Sequence, residues 1–199
     1  MKIVIATRNK GKLKHFEKIF KGTYVTFCTL DDIGYTKDIV EDSGTFEGNS
    51  CIKASQIAHD TGMIALGEDS GLIVDALNGR PGVDTAYYAG GEAAPRVDRL
   101  KTLLRELQGM SDRSAKFVSY ITCVLQDGRI LRVNAEMRGR ISDKIVDVDS
   151  GMTFEPIFVP EGFDKCLNQL DIETKLQISH RGKATRLFLQ ELELEVDKS

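Results

Sequence analysis

The chain has 199 residues, of which 41% are hydrophobic and 29% are charged. A chain of this length and composition can bury a full hydrophobic core, and the length fits one domain or a domain with two lobes. The formal net charge of -3 argues against non-specific binding to nucleic acid, and no block of like charge is long enough to indicate an interaction tail. We therefore expect no nucleic-acid partner.

The cysteines indicate a reducing compartment. Cys28, Cys51, Cys123 and Cys166 are widely spaced and form no CxxC pair. No signal-peptide pattern or membrane-length apolar run precedes or separates them. We expect reduced thiols, a cytoplasmic protein and no membrane partner. With only three histidines, a zinc site built from Cys and His has little support.

The first half of the chain alternates between strands and helices. Residues 3–6 form a short apolar run, partly β-branched, which predicts a buried strand. A helical pattern covers residues 12–20, and a second strand is predicted at 24–28. A further helix is predicted at 45–61, where Gly62 would end it.

An acidic segment and a hairpin follow. We predict strands at 63–66 and 72–74, separated by an acidic turn with the sequence GEDSG. Residues 95–107 have the pattern of an amphipathic helix. Residues 116–125 and 129–137 flank an Asp-Gly turn and predict a long hairpin.

The rest of the chain completes an α/β pattern. A short strand at 156–159 precedes two C-terminal helices, and no internal repeat or Pro-rich linker occurs. We predict an α/β fold with two lobes and a cleft between them.

The loop after the first strand is a candidate phosphate cradle. In open α/β sheets, ligands bind beyond the carboxyl ends of strands, where a helix points its N-terminal amides at an anion. A solvated basic turn explains the loop equally well. The pattern GxxxxGK[ST] is absent, so a P-loop has no support. The loop offers a hydroxyl, an amide, three cations and a glycine, from Thr7, Arg8, Asn9, Lys10, Gly11 and Lys12.

Carboxylates and a lysine form a second candidate site, comprising Glu41, Glu47, Lys53, Glu68 and Asp69. Hard oxygen ligands beside a cation suit Mg²⁺ that bridges phosphate oxygens. Surface charge is the alternative, and we favour it for Glu47. Asp69 lies between apolar runs, where a carboxylate needs a partner.

Two further clusters could contact a nucleotide. Lys175, His180 and Arg181 are donors near a helix start that Ser179 could cap, together with Lys183, and they suit a phosphate or a base carbonyl. The alternative is a merely basic helix entrance. Phe154 and Glu155 could stack on a base and accept its ring N–H, although a single phenylalanine is more often part of a core.

Together these segments resemble the inosine triphosphate pyrophosphatase family, the XTP/dITP diphosphatases that remove non-standard purine nucleotides. TRNKGK is similar to the family's phosphate loop TxNxxK, and TFEGNSCIKA is similar to its helix [ST]FxENAxxKA. EDSGLIVDALNGRPGV resembles the acidic segment DDSGLxVDALxGxPGV, and ETKLQISHRGKA resembles the ending EKxxxSHRGKA. The resemblance covers residues 2–192.

The resemblance implies roles for the phosphate side. Residues 7–12 would cradle the triphosphate, with Thr7, Asn9 and Lys12 at the positions that the motif specifies. Glu41 and Asp69 would bind Mg²⁺. Asp69 would also act as the catalytic base, and Lys53, at the position of the family's helix lysine, would be the other catalytic residue.

The resemblance also implies the base side and the assembly. Ser70 would contact the substrate, and Lys175, His180 and Arg181 would reach its base and sugar. The segment formed by Met152, Thr153, Phe154 and Glu155 would form the base pocket. The fold would be elongated, with a central mixed sheet flanked by helices, in a single domain over residues 1–199, and the chain would form a homodimer.

Two departures concern base recognition. The family's GFGYDP reads GMTFEP here, so Met152 replaces a base-contacting Phe and Glu155 replaces Asp. The family's PGxYSARYxG reads PGVDTAYYAG, with Asp84 for Tyr and Tyr87 for Arg, which removes an expected cation. Triphosphate hydrolysis is therefore a firmer expectation than the choice of base.

The predicted function is hydrolysis of nucleoside triphosphates such as ITP, dITP and XTP to the monophosphate and pyrophosphate. Mg²⁺-assisted attack of water on the α-phosphorus is the expected reaction. One alternative is a pyrophosphatase for another modified nucleotide. The other is a nucleotide-binding regulator without turnover.

Overall fold

The computed structural model has an α/β fold and describes residues 1–91, 94–149 and 151–196. Within these residues the strands are β1 (Lys2–Ile5), β2 (Thr26–Thr29), β3 (Ala65–Val74), β4 (Ser114–Val124), β5 (Ile130–Ile141) and β6 (Phe158–Pro160). They form one sheet in the order β2-β1-β3-β4-β5-β6. β1 is parallel to β2 and β3, whereas β5 and β6 are antiparallel, so the predicted mixed sheet is confirmed.

The α-helices of the described residues are α1 (Lys10–Phe20), α2 (Phe46–Thr61), α3 (Arg96–Glu106), α4 (Ile172–Ile178) and α5 (His180–Val196). The Thr45 side chain caps the start of α2, and Gly62 ends that helix with a left-handed φ of 67°, as predicted. None of these helices is both long enough and apolar enough to cross a bilayer.

The predicted acidic turn is wrong. Residues 67–71 lie inside the continuous strand β3, where Glu68 and Asp69 are 1% and 8% exposed. A buried carboxylate is tolerated when a cation pairs with it. Glu68 pairs with Lys12 and Asp69 pairs with Lys53, so the chain does not have to leave the strand to solvate them.

Several predicted boundaries shift. α1 begins at Lys10 instead of residue 12, β2 lies two residues later at its start than predicted, and both hairpin strands are longer. β6 starts only at Phe158 because Glu155–Ile157 form a short 3₁₀ turn. Pro156 explains this difference, since its fixed φ and missing N–H suit a turn better than a strand interior.

The described residues divide into two compact units. Unit 1 lies within Met1–Ser70, Ser119–Ala135 and Arg181–Ser199, and its core includes Phe16, Ile121 and Phe188. Unit 2 lies within Gly71–Val118 and Glu136–His180. Its core includes Leu100, Phe154 and Phe158. The single domain, the elongated shape and the cleft between lobes stay predictions.

Candidate active site

The loop between β1 and α1 is held by its own side chains. Thr7 Oγ1 accepts a hydrogen bond from the Asn9 amide at 3.2 Å. Asn9 Oδ1 accepts from the amides of Gly11 and Lys12, at 2.9 and 3.1 Å. Asn9 therefore caps two amides that a helix N-terminus would otherwise offer to an anion. Support for the phosphate cradle comes from the cations of this loop.

The three cations of the loop have different surroundings. Arg8 Nη2 donates to the backbone carbonyls of Tyr35 at 2.8 Å and Lys37 at 3.3 Å, so it ties the loop to the segment that leads towards Glu41. Lys10 is exposed at the start of α1. Lys12 is largely buried, with a side chain 14% exposed. Arg8 and Lys12 are therefore both held by contacts, and Lys12 is the more buried of the two.

Glu68 anchors two cations of unit 1. Lys12 Nζ lies 2.8 Å from Glu68 Oε2, and Arg181 Nε donates to Oε1 at 3.1 Å. Ser119 Oγ donates to the same Oε1 at 2.8 Å. Arg181 Nη2 also donates to Ser70 Oγ at 2.9 Å. The structure thus brings together Lys12, Ser70 and Arg181, three residues predicted to contact substrate.

The charges of this cluster favour an anionic ligand. Burial alone would raise the pKa of Glu68, but attraction to Arg181 and Lys12 outweighs it and holds that pKa well below its usual range. Burial lowers the pKa of Lys12 more than Glu68 raises it. Glu68 pairs with both cations. A phosphate oxygen near Lys12 and Arg181 would add a second negative charge beside them.

Lys53 of α2 lies between two carboxylates. Its Nζ is 2.5 Å from Glu41 Oε2 and 3.0 Å from Asp69 Oδ1. Asn49, one helical turn earlier, donates from Nδ2 to Asp69 Oδ2 at 3.3 Å. Lys53 and Asn49 are both 5% exposed, whereas the Glu41 side chain is 41% exposed. Glu47 is an exposed surface residue, as expected.

Gly67 allows α2 to approach β3 closely. A Cβ atom at this position would lie 2.1 Å from the carbonyl oxygen of Ser50 and 2.8 Å from the amide nitrogen of Ala54. Both are backbone atoms of α2, so any larger residue would displace the helix. The absence of a side chain at Gly67 is what brings Lys53 within reach of Asp69.

The pKa values of Lys53 and Asp69 respond differently to burial and to neighbouring charge. Burial disfavours the charged form of Lys53, but attraction to Asp69 and Glu41 outweighs it and raises the pKa of Lys53. Burial raises the pKa of Asp69 more than Lys53 and Lys12 lower it. A carboxylate with a raised pKa is better matched to accepting a proton near neutral pH.

Glu41 and Asp69 suit a divalent cation that is shared with substrate. Both carboxylates reach the Lys53 ammonium, so their oxygens converge on one cationic position. Mg²⁺ prefers one or two carboxylates together with water and substrate phosphates. In the described ranges, no group of three or more His, Cys, Asp or Glu side chains could hold a metal ion. The donor set fits Mg²⁺ with phosphate oxygens as further ligands.

A second polar cluster lies in unit 2. Lys175 Nζ is 2.9 Å from Glu155 Oε2, and the two side chains are 17% and 13% exposed. Arg96 donates to the carbonyl oxygens of Met152 at 3.0 Å and Thr153 at 3.3 Å. The predicted base-pocket segment is therefore an ordered turn beside an ion pair.

Two rings of the predicted base side pack inside unit 2. Phe154 is 1% exposed and meets Tyr88 edge-on, with ring centroids 6.0 Å apart, so it is a core residue as the alternative reading held. The His180 ring stacks on Phe117 at 5.0 Å with an interplanar angle of 13°. Ser179 lies directly before α5, in the position predicted for a cap.

Residues 3–191 match the Ham1 family. The chain belongs to this family. It is 36% identical over 189 residues to a dITP/XTP pyrophosphatase of Flavobacterium johnsoniae, covering 95% of this chain and 96% of that protein. It is 37% identical over 193 residues to a dITP/XTP pyrophosphatase of Geobacter sulfurreducens, covering 96% of each chain. The resemblance seen in the motifs is confirmed.

Solved structures of Ham1 proteins have the same fold. The Staphylococcus aureus Ham1 protein superposes with a TM-score of 0.88 at 34% identity, covering 98% of this chain and 100% of that one. A HAM1 protein from Coxiella burnetii gives a TM-score of 0.86 at 31% identity, with all of both chains covered. The predicted α/β class is confirmed.

Three residues of this Ham1 chain that make polar contacts in the candidate site were not predicted from the sequence. Asn49 precedes Lys53 by four residues on α2, and this spacing places both on one helix face, so it could have been found. Ser119 and Arg96 lie in unremarkable strand and helix patterns. Only the folded chain brings Ser119 to Glu68 and Arg96 to the carbonyls of residues 152 and 153.

Proposed function

We propose that this chain hydrolyses non-standard purine nucleoside triphosphates, such as ITP, dITP and XTP, to the monophosphate and pyrophosphate. The placement of Lys53 between Glu41 and Asp69 supports this proposal most directly. The dITP/XTP pyrophosphatases to which the chain is similar over nearly its full length give further support.

In the proposed reaction, Asp69 orients a water molecule and accepts its proton as the water oxygen attacks the α-phosphorus. Pyrophosphate leaves with the electron pair of the broken phosphoanhydride bond. Lys53, Lys12 and Arg181 stabilise the negative charge of the phosphate oxygens by fixed positive charge, which is the main catalytic contribution in phosphoryl transfer.

Mg²⁺ bound by Glu41 and Asp69 would supply further neutralisation of the phosphate charge. Asn49 holds Asp69 Oδ2, which limits the rotation of the carboxylate that takes the proton. Glu68 keeps Lys12 and Arg181 in place and leaves the proton transfer to Asp69.

Base choice is assigned to Glu155 and Lys175. A 6-keto purine presents an N1–H donor and an O6 acceptor, whereas adenine presents an N1 acceptor and a donor at position 6. A carboxylate paired with an ammonium complements the keto pattern, and leaving such buried groups unpaired makes discrimination large. Met152 lacks a flat ring, so we expect wider tolerance among keto purines, including guanine.

The homodimer and the cytoplasmic location expected from the sequence stay predictions. They do not enter the proposed chemistry, which uses the residues of one chain.

The test is a nucleotide panel in which pyrophosphate release is measured from ITP, dITP, XTP, GTP and ATP with Mg²⁺ and with excess chelator. We expect release from the keto purines and its loss in chelator. Full turnover in chelator would contradict the two-carboxylate metal site. ITP binding without any pyrophosphate release would favour a regulator instead.

Hydrolysis in ¹⁸O-labelled water locates the bond that breaks. Attack on the α-phosphorus puts the label in the nucleoside monophosphate. Label found only in pyrophosphate would mean attack on the β-phosphorus and would overturn the proposed mechanism.

A further inference from the structure

Arg96 of α3 holds the backbone of the turn that carries Glu155. It is the first residue of that helix, and its guanidinium reaches two successive carbonyl oxygens, Met152 through Nη2 and Thr153 through Nε. A planar guanidinium can donate to both in one fixed orientation, which a lysine cannot reproduce. Arg96 therefore restrains the turn in two directions at once.

The turn has little freedom of its own. The Met152 carbonyl oxygen also accepts a hydrogen bond from the backbone amide of Glu155 at 2.9 Å, and this bond closes the turn. Gly151 has a φ of 75°, and a Cβ there would lie 2.5 Å from Glu155 Oε2. Glu155 Oε2 is the atom that pairs with Lys175. A change in the backbone at residues 152 and 153 would therefore move the carboxylate assigned to base choice.

The charges around Arg96 agree with this role. Burial lowers the pKa of Arg96, while the carboxylates of Glu155, Asp149 and Asp147 act in the opposite direction. The guanidinium thus provides positive charge to a segment of chain that contains three acidic residues. Tyr87, where the family pattern has an arginine, is 59% exposed and carries no charge.

We propose that Arg96 is a positioning residue for base selection, which sets the orientation of Glu155 by fixing the Met152 and Thr153 carbonyls. This inference rests on the proposed role of Glu155 in choosing the base. It adds a residue that acts on base choice through the turn.

The test compares Arg96→Lys and Arg96→Gln with the native enzyme. Arg96→Lys keeps the positive charge but loses the simultaneous hydrogen bonds to the Met152 and Thr153 carbonyls. We expect the ratio of kcat/KM for ITP to that for ATP to fall at least about tenfold in both variants, the equivalent of about 1.4 kcal/mol of discrimination. Inhibition by pyrophosphate, which reports the phosphate side, should change little. Arg105→Gln, an exposed arginine of the same helix, is the matched control and should keep the native ratio.

Three results would overturn the inference. An equal loss of kcat/KM for all nucleotides would show a merely structural role, and an unchanged ratio in Arg96→Lys would show that the charge alone suffices. If the native enzyme itself fails to prefer ITP over ATP, then the assignment of Glu155 falls as well. In that case the native panel identifies the failure before any variant is made.

Discussion

Two neighbouring carboxylates of β3 differ in chemistry because their partners differ. Glu68 meets two cations and a hydroxyl, and these hold its pKa well below its usual range despite burial. Asp69 meets one ammonium and one amide, and burial raises its pKa. Adjacent strand residues point to opposite faces, so Glu68 and Asp69 have different nearest partners, although Lys12 acts on both carboxylates. Asp69 suits proton transfer, whereas Glu68 suits a fixed negative charge.

We expect Asp69→Asn to lower kcat for ITP by roughly 10²–10⁴-fold, the usual contribution of a general base, while the nucleotide still binds. Pyrophosphate release measures the first effect and isothermal titration calorimetry the second. Asp164→Asn, a change at an exposed aspartate of unit 2, is the control and should retain turnover. Near-normal turnover in Asp69→Asn would move the base elsewhere, with Glu68 the first candidate.

His15 should make stability depend on pH. Burial, assisted by the nearby positive charge of Arg181, lowers the pKa of His15 to about 3. Its Nε2 atom is buried without a hydrogen-bond partner among the described residues. In the unfolded chain His15 takes up a proton near pH 6.5. The contribution of His15 to the free energy of unfolding is therefore complete above that pH and is lost as the pH falls towards 3.

We expect the free energy of unfolding to fall by about 1 kcal/mol between about pH 6 and about pH 5 because of His15. His15→Gln should remove this part of the slope, as measured by urea denaturation at both values. Lys14→Gln, a change at an exposed residue of the same helix that leaves His15 in place, is the control and should keep the slope. Equal slopes in native protein and His15→Gln would contradict the prediction.

At the scale of elements, β3 shows what local patterns can and cannot predict. Its two apolar ends were predicted as strands, although residues 63 and 64 lie before β3, and the polar residues between them were assigned to a turn. Glu68 and Asp69 remain in the strand because each has a lysine partner from a helix, Lys12 at a separation of 56 residues and Lys53 at a separation of 16. The motifs identify these residues as a set. Their pairing depends on tertiary packing, which no local window contains.

Gly67→Ala should separate Lys53 from Asp69. The added methyl would meet backbone atoms of α2, so the helix must move, and overpacking of this kind costs about 1–3 kcal/mol. We expect lower stability by urea denaturation together with a loss of kcat in the remaining folded protein. Gly22→Ala is the control, because its φ of 84° makes alanine strained while nothing lies within 4 Å. The Gly22→Ala variant should therefore be less stable than the native protein and have the native kcat. Normal kcat in Gly67→Ala would show that helix approach does not position Lys53.

At the scale of the whole molecule, the residues proposed for phosphate chemistry and those proposed for base choice lie in different units. Unit 1 contains the loop cations, Lys53 and the carboxylates assigned to phosphate chemistry. Unit 2 contains Glu155 and Lys175, which are assigned to the base. Each unit has its own buried core. Substitutions in the two units should therefore have kinetic signatures of different kinds.

We expect Lys53→Met to lower kcat/KM by a similar factor for ITP, XTP, GTP and ATP, because every triphosphate needs the same charge. Glu155→Gln should instead change the order of preference, chiefly by improving ATP relative to ITP. Steady-state kinetics on the four nucleotides separates these outcomes, and circular dichroism checks that both variants fold. A changed order in Lys53→Met, or an unchanged one in Glu155→Gln, would contradict this division.

The pairing of Glu68 with Arg181 also bears on how the protein is made. Synthesis proceeds from the N-terminus, and these partners are 113 residues apart in the chain. When β3 leaves the ribosome, Lys12 is already present, but the guanidinium that shares the Glu68 carboxylate has not been synthesised. Burying a charge before its partner arrives is costly. The proposed phosphate side of this chain can therefore reach its native charge balance only after Arg181 has emerged.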